Sequence, residues 1–490
     1  MDLLGFARNK KAKRIMKTHK DELLSIRQIC DILHIGYPNR VDLDKKFPMI
    51  CCFEGVFIKD CLFVHYERDE DTVAHNAMKN GARALLCSHQ IGDYPCIIVD
   101  DVLKSLNRIL QPMYDKIRIP TTVITGSCGK TTTKNYINCV YSSQYNTFCN
   151  VTNGNTFEYV GFEIQRFDKK AELFVQEVNE SDPFNAKNAS EVLKPQIACI
   201  TNMDKSHIGE LGSEENIMRA ICDITAGMDK NGIVIINGDD PNSSKVQFSQ
   251  KVIKVSIKDK TADCFADNIK SNANSLSFDL HYLDECVNIT LPISGVHNIY
   301  NAQMAYVCGR IQGIPSNKIV RGLLKYKPLG FRQNTYSSFG TKIYADCYNA
   351  SAKSIALSIK VIDDMKCLGK GRKIAVLGDI GEIDGFEDDI YRNIAESISN
   401  SNIDVLITYG EKSQKIHDSL TRDLVCYHEN NMADLVKKIK NVHKRGDCIL
   451  FKASRSMHLD VAIRKAFPYA FIKGMAPVFW IYFKWTMRTL

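Results

Sequence analysis

The feature that most constrains the fold of this chain is the segment 121–134, which reads Thr-Thr-Val-Ile-Thr-Gly-Ser-Cys-Gly-Lys-Thr-Thr-Thr-Lys. Its β-branched start is typical of a short buried strand, and Gly126 and Gly129 allow the backbone to turn tightly after it. The residues beyond the turn favour the start of a helix, whose backbone N–H groups would point at phosphate oxygens. The segment therefore predicts a strand, a phosphate-binding loop and a helix.

The same loop carries side chains suited to a nucleoside triphosphate. Lys130 would reach the β- and γ-phosphates, and the Thr131 hydroxyl would hold Mg²⁺. The full phosphate-loop pattern is not kept, because Ile124 stands where its first glycine belongs. With a strand before it and a helix after it, the loop still predicts nucleotide binding along the whole turn, at Gly126, Ser127, Cys128, Gly129, Lys130, Thr131 and Thr132.

Length and composition bound the class of protein. At 490 residues the chain has room for roughly three domains of about 150 residues each. Its composition is that of an ordinary globular protein, and no apolar run reaches the roughly 18 residues that a membrane span needs. The first twenty residues are basic, but no apolar stretch or cleavage site follows them. We therefore expect no signal peptide and a cytoplasmic protein.

Cysteine usage and net charge indicate which kinds of binding partner the chain is suited to. The 18 cysteines are scattered and often lie in apolar stretches, as Cys199 and Cys448 do, which favours reduced thiols over disulfides or zinc ligands. A net charge of +8 is mild over this length, and the basic residues do not interleave with aromatic ones in a stripe. We therefore expect small-molecule substrates and no nucleic-acid partner. Separately, we expect a monomer.

Strand-like and helix-like segments alternate through nearly the whole chain. Residues 251–292 are richer in short alternating segments and predict a small β excursion, and residues 299–311 predict a helix. Strands are predicted at 61–64, 82–87, 95–99, 122–125, 173–178, 197–202, 232–237, 342–346, 373–378, 404–409 and 447–451. This rhythm predicts an α/β protein in which helices cover mostly parallel sheets.

We predict three domains between two tails. After a basic tail at 1–20 come a small N-terminal α/β domain at 21–118, a central phosphate-loop domain with a mostly parallel sheet at 119–328, and a C-terminal Rossmann-like, doubly wound domain at 329–466. The last segment, 467–490, is rich in aromatic residues, including Trp480 and Trp485, mixed with basic ones. That mixture would suit a membrane surface, but prolines and a glycine interrupt it, and we expect it to pack on the last domain.

Motifs downstream of the loop indicate which kind of nucleotide-using protein this is. Glu177 lies near the end of a predicted strand, and Thr-Asn-Met-Asp-Lys-Ser-His follows at 201–207. Further motifs are Gly-Val-His-Asn-Ile-Tyr-Asn-Ala at 295–302, Gly-Phe-Arg at 330–332, Asp-Cys-Tyr-Asn-Ala at 346–350, Val-Leu-Gly-Asp-Ile at 376–380 and Phe-Lys-Ala-Ser-Arg at 451–455. In this order and spacing the series resembles the Mur ligase family, over nearly the whole chain from residue 23 to residue 460.

That resemblance implies an ATP-dependent, ADP-forming ligase that makes an amide bond. ATP would phosphorylate a substrate carboxylate, and an amine would then attack the acyl phosphate through a tetrahedral intermediate. The implied substrates are an amino acid or dipeptide and a carboxylate, expected to belong to a UDP-N-acetylmuramoyl-peptide. The implied cofactors are ATP and Mg²⁺, and the implied process is peptidoglycan synthesis.

The resemblance also implies roles at the phosphate-transfer centre. Lys130, Glu177, His207 and Arg332 would be the catalytic residues. Thr131, Glu177 and His207 would be the ligands of Mg²⁺. Such chemistry needs positive charge on the transferring phosphoryl group and a site from which water is excluded.

Other implied positions surround the nucleotide and the incoming substrate. Asn298 and Asn301 match residues on the adenine side, although Asn298 would equally suit a helix cap. Arg332 and Asp346 match residues of the C-terminal domain that reach phosphate and ribose. The implied substrate-facing residues, which would equally suit the start of a helix, are Lys452, Ser454 and Arg455.

Three segments depart from the family pattern. Family members carry a lysine that becomes carbamylated and bridges toward a second Mg²⁺, and the matching position here is Ile221, which cannot do either. Near the uridine nucleotide, Phe-Glu-Gly at 53–55 replaces an Asp-Ser-Arg segment. After Glu177 the usual glycine and asparagine give way to Val-Asn-Glu-Ser at 178–181. The residues therefore predict ATP use more firmly than they predict the other substrates.

These departures leave two alternatives open. One is a diverged ligase with the same chemistry that acts on another carboxylate, outside the main peptidoglycan route. The other is a nucleotide-binding regulatory protein without catalysis, for which Ile221 is the best support. The presence of Lys130, Glu177, His207 and Arg332 argues against the second alternative, because a scaffold has no need of a complete transfer site.

Overall fold

The computed structural model describes residues 23–39, 41–52, 59–66, 71–150, 154–272 and 275–471. Within these ranges the strands form three sheets, each built from its own stretch of chain. The basic tail at 1–20, the predicted uridine-side segment at 53–55 and most of the aromatic tail lie outside the described residues.

The first sheet belongs to the N-terminal stretch and has four parallel strands in chain order. A capping box starts its first helix, because Ser25 Oγ accepts from the Gln28 N–H while Gln28 Oε1 accepts from the Ser25 N–H. Gln165, from the middle of the chain, bonds to both backbone groups of Ile50 at 2.6 and 3.0 Å, which fixes this sheet against the central region. Its elements are α1 (Ile26–Leu33), β1 (Ile50–Cys51), β2 (Leu62–Val64), α2 (Thr72–Lys79), β3 (Ala84–Cys87), β4 (Cys96–Ile98) and α3 (Val102–Asp115).

The second sheet is the central one. Its elements are β5 (Thr121–Thr125), α4 (Lys130–Tyr141), β6 (Thr147–Cys149), α5 (Phe157–Gln165), β7 (Leu173–Glu177), α6 (Asn185–Leu193), β8 (Ile197–Ile200), α7 (Ile208–Leu211), α8 (Glu214–Cys222), β9 (Ile233–Asn237), β10 (Lys251–Ser256), β11 (Cys264–Asn272), β12 (Ser275–Tyr282), β13 (Glu285–Leu291), α9 (His297–Ile311) and α10 (Ser316–Leu324). The strand order is β13-β12-β11-β10-β9-β8-β5-β7-β6, parallel from β6 to β11 and antiparallel from β11 to β13. The predicted β excursion therefore extends this sheet, because β10 pairs in parallel with β9.

Strand β5 lies between β7 and β8 and is buried on both sides. Val123 belongs to the apolar cluster that includes helices α3 and α5, whereas Ile124 belongs to the cluster beneath α4 and α9. Successive strand residues point to opposite faces, so both faces of this sheet are covered by helices. The carboxyl end of β5 is thereby a fixed platform for the loop that follows it.

The third sheet is the C-terminal one, with strand order β14-β15-β19-β16-β17-β18. Strand β14 is antiparallel to β15, and the other strands are parallel, which confirms the predicted doubly wound arrangement. Its elements are β14 (Asn334–Ser338), β15 (Thr341–Ala345), α11 (Ala352–Asp364), β16 (Lys373–Gly378), α12 (Glu387–Ser399), β17 (Val405–Tyr409), α13 (Lys415–Asp418), β18 (Val425–Glu429), α14 (Met432–Val442), β19 (Cys448–Lys452) and α15 (Leu459–Ala466).

The start of the aromatic tail packs on this last sheet. Phe467 is buried, with its ring centroid 6.3 Å from that of Phe451 and 5.0 Å from that of His443. Tyr469 lies edge-on to Phe339 at 5.3 Å. Packing on the last domain is thus confirmed for these two tail residues.

Two further expectations concern membrane spans and thiols. In the part of the chain that the structure describes, no helix combines the length and the apolar character needed to cross a bilayer. The cysteines are free thiols, and two of them, Cys199 and Cys308, bring their sulfur atoms to 3.5 Å beneath the central sheet. Their reduced state stays a prediction.

Candidate active site

The loop between β5 and α4 is built around a glycine that no other residue could replace without strain. Gly126 has a φ of 118°, and a Cβ atom there would lie 2.5 Å from Thr201 Oγ1 and 2.8 Å from the Asn202 carbonyl oxygen. The loop can therefore press against the segment that follows β8 because residue 126 lacks a side chain. The predicted strand, tight turn and helix are confirmed.

Hydrogen bonds fix the rest of the turn. The Ser127 N–H donates to the Asn202 carbonyl oxygen at 3.0 Å, and the Cys128 N–H donates to Asn202 Oδ1 at 3.0 Å. The Ser127 hydroxyl donates to the Asp204 carbonyl oxygen at 3.0 Å. Gly129, with a φ of 87°, precedes the first turn of α4, so the helix N-terminus opens directly onto the loop.

Lys130 is held by the carboxylate of Glu180, a residue to which the family resemblance gave no role. Its Nζ donates to the Gly126 carbonyl oxygen at 2.6 Å and to both carboxylate oxygens of Glu180 at 2.9 and 2.8 Å. The Glu180 side chain is fully buried and that of Lys130 is 11% exposed. The sequence showed Glu180 as part of a departure from the family pattern after β7. It did not show that Glu180 pairs with Lys130, 50 residues earlier in the chain.

Thr131 and Glu177 meet at the start of α4. The Thr131 hydroxyl donates to Glu177 Oε1 at 3.0 Å, and Asn155 Nδ2 donates to the same oxygen at 3.1 Å. Burial raises the pKa of Glu177, but the charges of Lys134 and Arg332 outweigh burial and hold this pKa below its ordinary value. Glu177 is therefore ionised.

The donor set at Glu177 suits Mg²⁺. Among the described residues, the buried oxygen Oε2 of Glu177 accepts no hydrogen bond, although Lys134 Nζ lies 3.4 Å away. A carboxylate oxygen without a hydrogen-bond donor, next to a threonine hydroxyl, offers the hard oxygen ligands that Mg²⁺ prefers. The residues present therefore fit the cation that the family implies.

His207 lies where the central and C-terminal stretches meet. It directly precedes α7 with a φ of 58°, and its Nδ1 is 2.8 Å from Glu382 Oε2 and 3.4 Å from Glu210 Oε2. Its Nε2 is 3.9 Å from Glu180 Oε1. Burial lowers the pKa of His207, but the carboxylates of Glu210 and Glu382 outweigh burial and raise this pKa to about 9. The structure thus places His207 next to Glu180, the carboxylate that pairs with Lys130.

The residues predicted on the adenine side form a buried network. Thr133 donates to Asn301 Oδ1 at 2.9 Å, and Asn301 Nδ2 donates to Asn298 Oδ1 at 3.1 Å. Asn298 Nδ2 donates to the Ser294 carbonyl oxygen at 2.8 Å and to Gln333 Oε1 at 2.9 Å. The prediction that Asn298 caps α9 is wrong, because the helix already begins at His297 and Asn298 lies inside its first turn.

Arg332, in the C-terminal stretch, stacks on the ring of Tyr348. Its guanidinium carbon lies 3.8 Å from the ring centroid of Tyr348, a stacking that orients the cation. Its charge helps to lower the pKa of Glu177. The structure therefore brings Arg332 within electrostatic reach of the Thr131 and Glu177 pair.

The buried Lys452 pairs with the partly buried Asp346 at the carboxyl ends of β19 and β15. Lys452 Nζ is 2.9 Å from Asp346 Oδ2 and donates to the carbonyl oxygens of Asp346 and Asn349. Asp346 also accepts from the Gln333 N–H at 3.1 Å. Lys452 therefore braces the loop that carries Tyr348.

The other two predicted substrate-facing residues differ in exposure. The Ser454 hydroxyl is mostly buried and accepts from the Gly381 N–H at 2.8 Å. Arg455 donates to Asp460 Oδ1 at 2.9 Å, yet its side chain is 41% exposed. Of the three, Arg455 keeps the most surface available to a substrate.

Further contacts that join the C-terminal stretch to the loop were missed from the sequence. Lys353 Nζ lies 3.0 Å from Asp240 Oδ1 and 3.8 Å from Asp204 Oδ2. Ser351 Oγ lies 3.2 Å from the sulfur of Cys128 in the phosphate loop. The first turn of α11 thus lies against the phosphate loop. The local sequence gave no signal for these contacts.

Ile221 lies in α8 and is fully buried in the main apolar core. An aliphatic side chain is well suited to that environment, and it offers no ligand atom at this position. The position that carries the modified lysine in the family is therefore purely apolar in this chain.

These elements define a phosphate-loop enzyme in which a C-terminal doubly wound sheet lies against the nucleotide loop of a central parallel sheet. Residues 124–309 match the Mur ligase middle domain, and residues 332–455 match the domain described as Mur ligase, glutamate ligase domain. A UDP-N-acetylmuramoyl-tripeptide--D-alanyl-D-alanine ligase of Buchnera aphidicola subsp. Baizongia pistaciae is 31% identical over 422 residues, which are 83% of this chain and 89% of that protein.

Solved structures show the same fold. MurF from Acinetobacter baumannii superposes with a TM-score of 0.80 at 20% identity, over 91% of this chain and 98% of that one. The MurF ligase from Thermotoga maritima in complex with ADP superposes with a TM-score of 0.74 at 19% identity, over 85% and 96% of the two chains. The chain belongs to the Mur ligase family. Within it, this protein is a MurF-like, ATP-dependent ligase, so the prediction of an enzyme is confirmed.

Proposed function

We propose that this chain joins D-alanyl-D-alanine to the carboxylate of UDP-N-acetylmuramoyl-tripeptide, the reaction for which its curated relatives are named. ATP would be split to ADP and inorganic phosphate. The observation that carries the proposal is the group formed by Lys130, Thr131 and Glu177 at the end of β5, with Arg332 near enough for its charge to lower the pKa of Glu177.

In the first step a carboxylate oxygen of the tripeptide attacks the γ-phosphorus of ATP. The bond from that phosphorus to the β,γ-bridging oxygen breaks, and ADP leaves with the electron pair. Lys130 and Arg332 stabilise the negative charge on the transferring phosphoryl group, because both cations are held in the site before the reaction begins. The product of this step is an acyl phosphate.

In the second step the amine of the dipeptide attacks the acyl carbon. The tetrahedral intermediate collapses, the acyl carbon–oxygen bond breaks, and inorganic phosphate leaves, taking up the proton that the nitrogen loses. Acyl phosphates hydrolyse readily, so the site must exclude water. The contacts of Lys353 and Glu382 with the central region hold the C-terminal stretch over the loop and serve this purpose.

Thr131, Glu177 and His207 are the residues that we propose to hold Mg²⁺. When bound, the cation neutralises charge on the β- and γ-phosphates and orients them. Glu177 is suited to this role because it is ionised and buried, and because one of its oxygens accepts no hydrogen bond from the described residues.

The remaining predictions belong to the same proposal. Residues 21–118 would bind the nucleotide-sugar part of the substrate, residues 119–328 would bind ATP, and residues 329–466 would close over both. Arg455 would face the incoming dipeptide, while Asn298 and Asn301 would lie on the adenine side. ATP and UDP-linked precursors are made inside the cell, so the enzyme would act in the cytoplasm, and we expect it to act as a monomer.

A second candidate keeps the chemistry and changes the acceptor. Two residues favour it. Ile221 is fully buried and offers no ligand atom for a cation, and Glu180 forms an ion pair with Lys130. Under this candidate the enzyme would join an amino acid or dipeptide to another carboxylate, outside the main peptidoglycan route.

The test is ADP release with UDP-N-acetylmuramoyl-tripeptide and D-alanyl-D-alanine, compared with a panel of other carboxylates and amines. We expect turnover with the cell-wall pair, reduced at least a hundredfold by Lys130→Met and unchanged by Lys170→Met, a matched change at an exposed lysine. Turnover with another pair alone would replace the first candidate by the second. Turnover that survives Lys130→Met would remove the phosphate loop from the mechanism.

A further inference from the structure

Glu180 is a fully buried carboxylate that the proposed mechanism does not use. It follows β7 and lies between two groups of the site. Lys130 Nζ bonds to both of its oxygens, at 2.9 and 2.8 Å, and His207 Nε2 lies 3.9 Å from Oε1. The Ser206 hydroxyl donates to the same oxygen at 3.4 Å. A carboxylate so completely removed from water needs positive charge beside it.

Nucleotide binding removes part of that positive charge. In a phosphate loop the lysine reaches the β- and γ-phosphates, so Lys130 has to turn from Glu180 to the nucleotide. Glu180 would then be a buried anion beside an incoming polyanion. Either ATP binding carries a large penalty, or a second cation enters as Lys130 leaves.

His207 is placed to receive such a cation together with Glu180, and binding the cation displaces the ring proton that Glu210 and Glu382 favour. Its Nδ1 lies 2.8 Å from Glu382 Oε2, which leaves Nε2 on the side of Glu180. A carboxylate on one ring nitrogen is the usual way in which a histidine is oriented toward a metal. With bonds of about 2.1 Å to an octahedral Mg²⁺, neighbouring ligands lie about 3.0 Å apart and opposite ligands about 4.2 Å apart. The observed separation is 3.9 Å, so Glu180 Oε1 and His207 Nε2 need a small shift to become opposite ligands.

We propose that Glu180 is a divalent-cation ligand that alternates between two partners. It pairs with Lys130 before nucleotide binds, and it holds Mg²⁺ jointly with His207 once the phosphates have taken Lys130. This inference rests on the proposed function, since it needs a triphosphate at Lys130.

The experiment counts bound cations rather than turnover. Mn²⁺ replaces Mg²⁺ as the probe and is titrated into the full chain, with free Mn²⁺ measured by electron paramagnetic resonance at saturating β,γ-methylene-ATP. Wild type is compared with Glu180→Gln, which keeps the shape and removes the charge. The control is Glu214→Gln, an equal change at an exposed carboxylate paired with Lys205.

We expect wild type and the Glu214→Gln control to bind two Mn²⁺ per chain, and Glu180→Gln to bind the second at least tenfold more weakly. Without metal, Glu180→Gln should bind the nucleotide analogue more tightly than wild type, because Lys130 is already free of its partner. If Glu180→Gln does not fold, Glu180→Asp shortens the carboxylate by one methylene and should weaken the second Mn²⁺ by the same criterion.

Two results would overturn the inference in distinguishable ways. Equal Mn²⁺ binding by wild type and the Glu180 variants, with the nucleotide analogue bound, would exclude Glu180 as a ligand and leave the proposed function intact. Failure of wild type to bind the analogue at all would remove the proposed function and this inference with it.

Discussion

The pair of Lys130 and Glu180 gives a prediction about stability without any nucleotide. The perturbation is Lys130→Met, which keeps most of the side-chain volume and removes the ammonium group. Glu180 is fully buried and loses a cation that bonds both of its oxygens. Removing one partner of a buried ion pair costs about 3–5 kcal/mol, because the other charge is left uncompensated. We expect Lys130→Met to lower the free energy of unfolding by that amount.

Removing the carboxylate instead of the ammonium group should lower the free energy of unfolding by less. In Glu180→Gln the ammonium group of Lys130 keeps its bond to the Gly126 carbonyl oxygen and retains some contact with water, since the side chain is 11% exposed. We expect a loss of about 1–2 kcal/mol, the scale of an impaired buried hydrogen bond. The double variant buries no unpaired charge, so it should be more stable than Lys130→Met alone, with a coupling energy of about 2–3 kcal/mol.

The assay is urea unfolding of the nucleotide-free protein, followed by far-ultraviolet circular dichroism in all four members of the cycle. Lys170→Met, at an exposed lysine, is the control and should change the free energy of unfolding by less than about 0.5 kcal/mol. Additive effects of the two substitutions, or a Lys130→Met protein as stable as wild type, would refute the reasoning from the buried pair.

Three further predictions concern the loop and the contact between sheets. Gly126→Ala places a Cβ atom 2.5 Å from Thr201 Oγ1, so ATP affinity measured by calorimetry should fall at least tenfold, and unchanged affinity would contradict the packing argument. Lys353→Met removes the 3.0 Å contact with Asp240. Small-angle scattering should then show a larger radius of gyration, and assays of ADP release should show a higher KM for ATP. Identical scattering curves for the variant and wild type would count against the contact. Burial raises the pKa of Asp240, but Lys353 and hydrogen bonds outweigh burial and lower this pKa, so its stabilisation is present above about pH 4 and lost as pH falls through the folded-state pKa. Thermal melts of wild type and Lys353→Met should therefore differ at pH 7 and converge at acid pH, whereas a constant difference would show that the Asp240 charge is not involved.

Much of the fold was predictable from the sequence because its signals are local. The β-branched run, Gly126 and the following helix lie within fourteen residues, and their order determines the loop. The alternation of strands and helices likewise predicts parallel, helix-covered sheets. The edge of the central sheet was not predictable, because the pairing of β10 with β9 depends on register between segments and not on either segment alone.

The candidate site likewise contains residues that were predictable from local motifs and contacts that were not. Thr131 and Glu177 were assigned from motifs, and the structure joins them at 3.0 Å. The pairing of Lys130 with Glu180 spans 50 residues and that of Lys353 with Asp240 spans 113, and neither leaves a pattern in the sequence. The supposed cap at Asn298 was wrong because the chain turns earlier, at Gly295, and the helix begins before it.

The measurement that tests the central claim most directly follows an oxygen atom. UDP-N-acetylmuramoyl-tripeptide labelled with ¹⁸O in its acceptor carboxylate is incubated with the enzyme, ATP and D-alanyl-D-alanine, and the inorganic phosphate is analysed by mass spectrometry. Activation as an acyl phosphate predicts one ¹⁸O atom in each phosphate released, because the acyl carbon–oxygen bond breaks after phosphoryl transfer. Unlabelled phosphate formed together with the amide product would contradict the account.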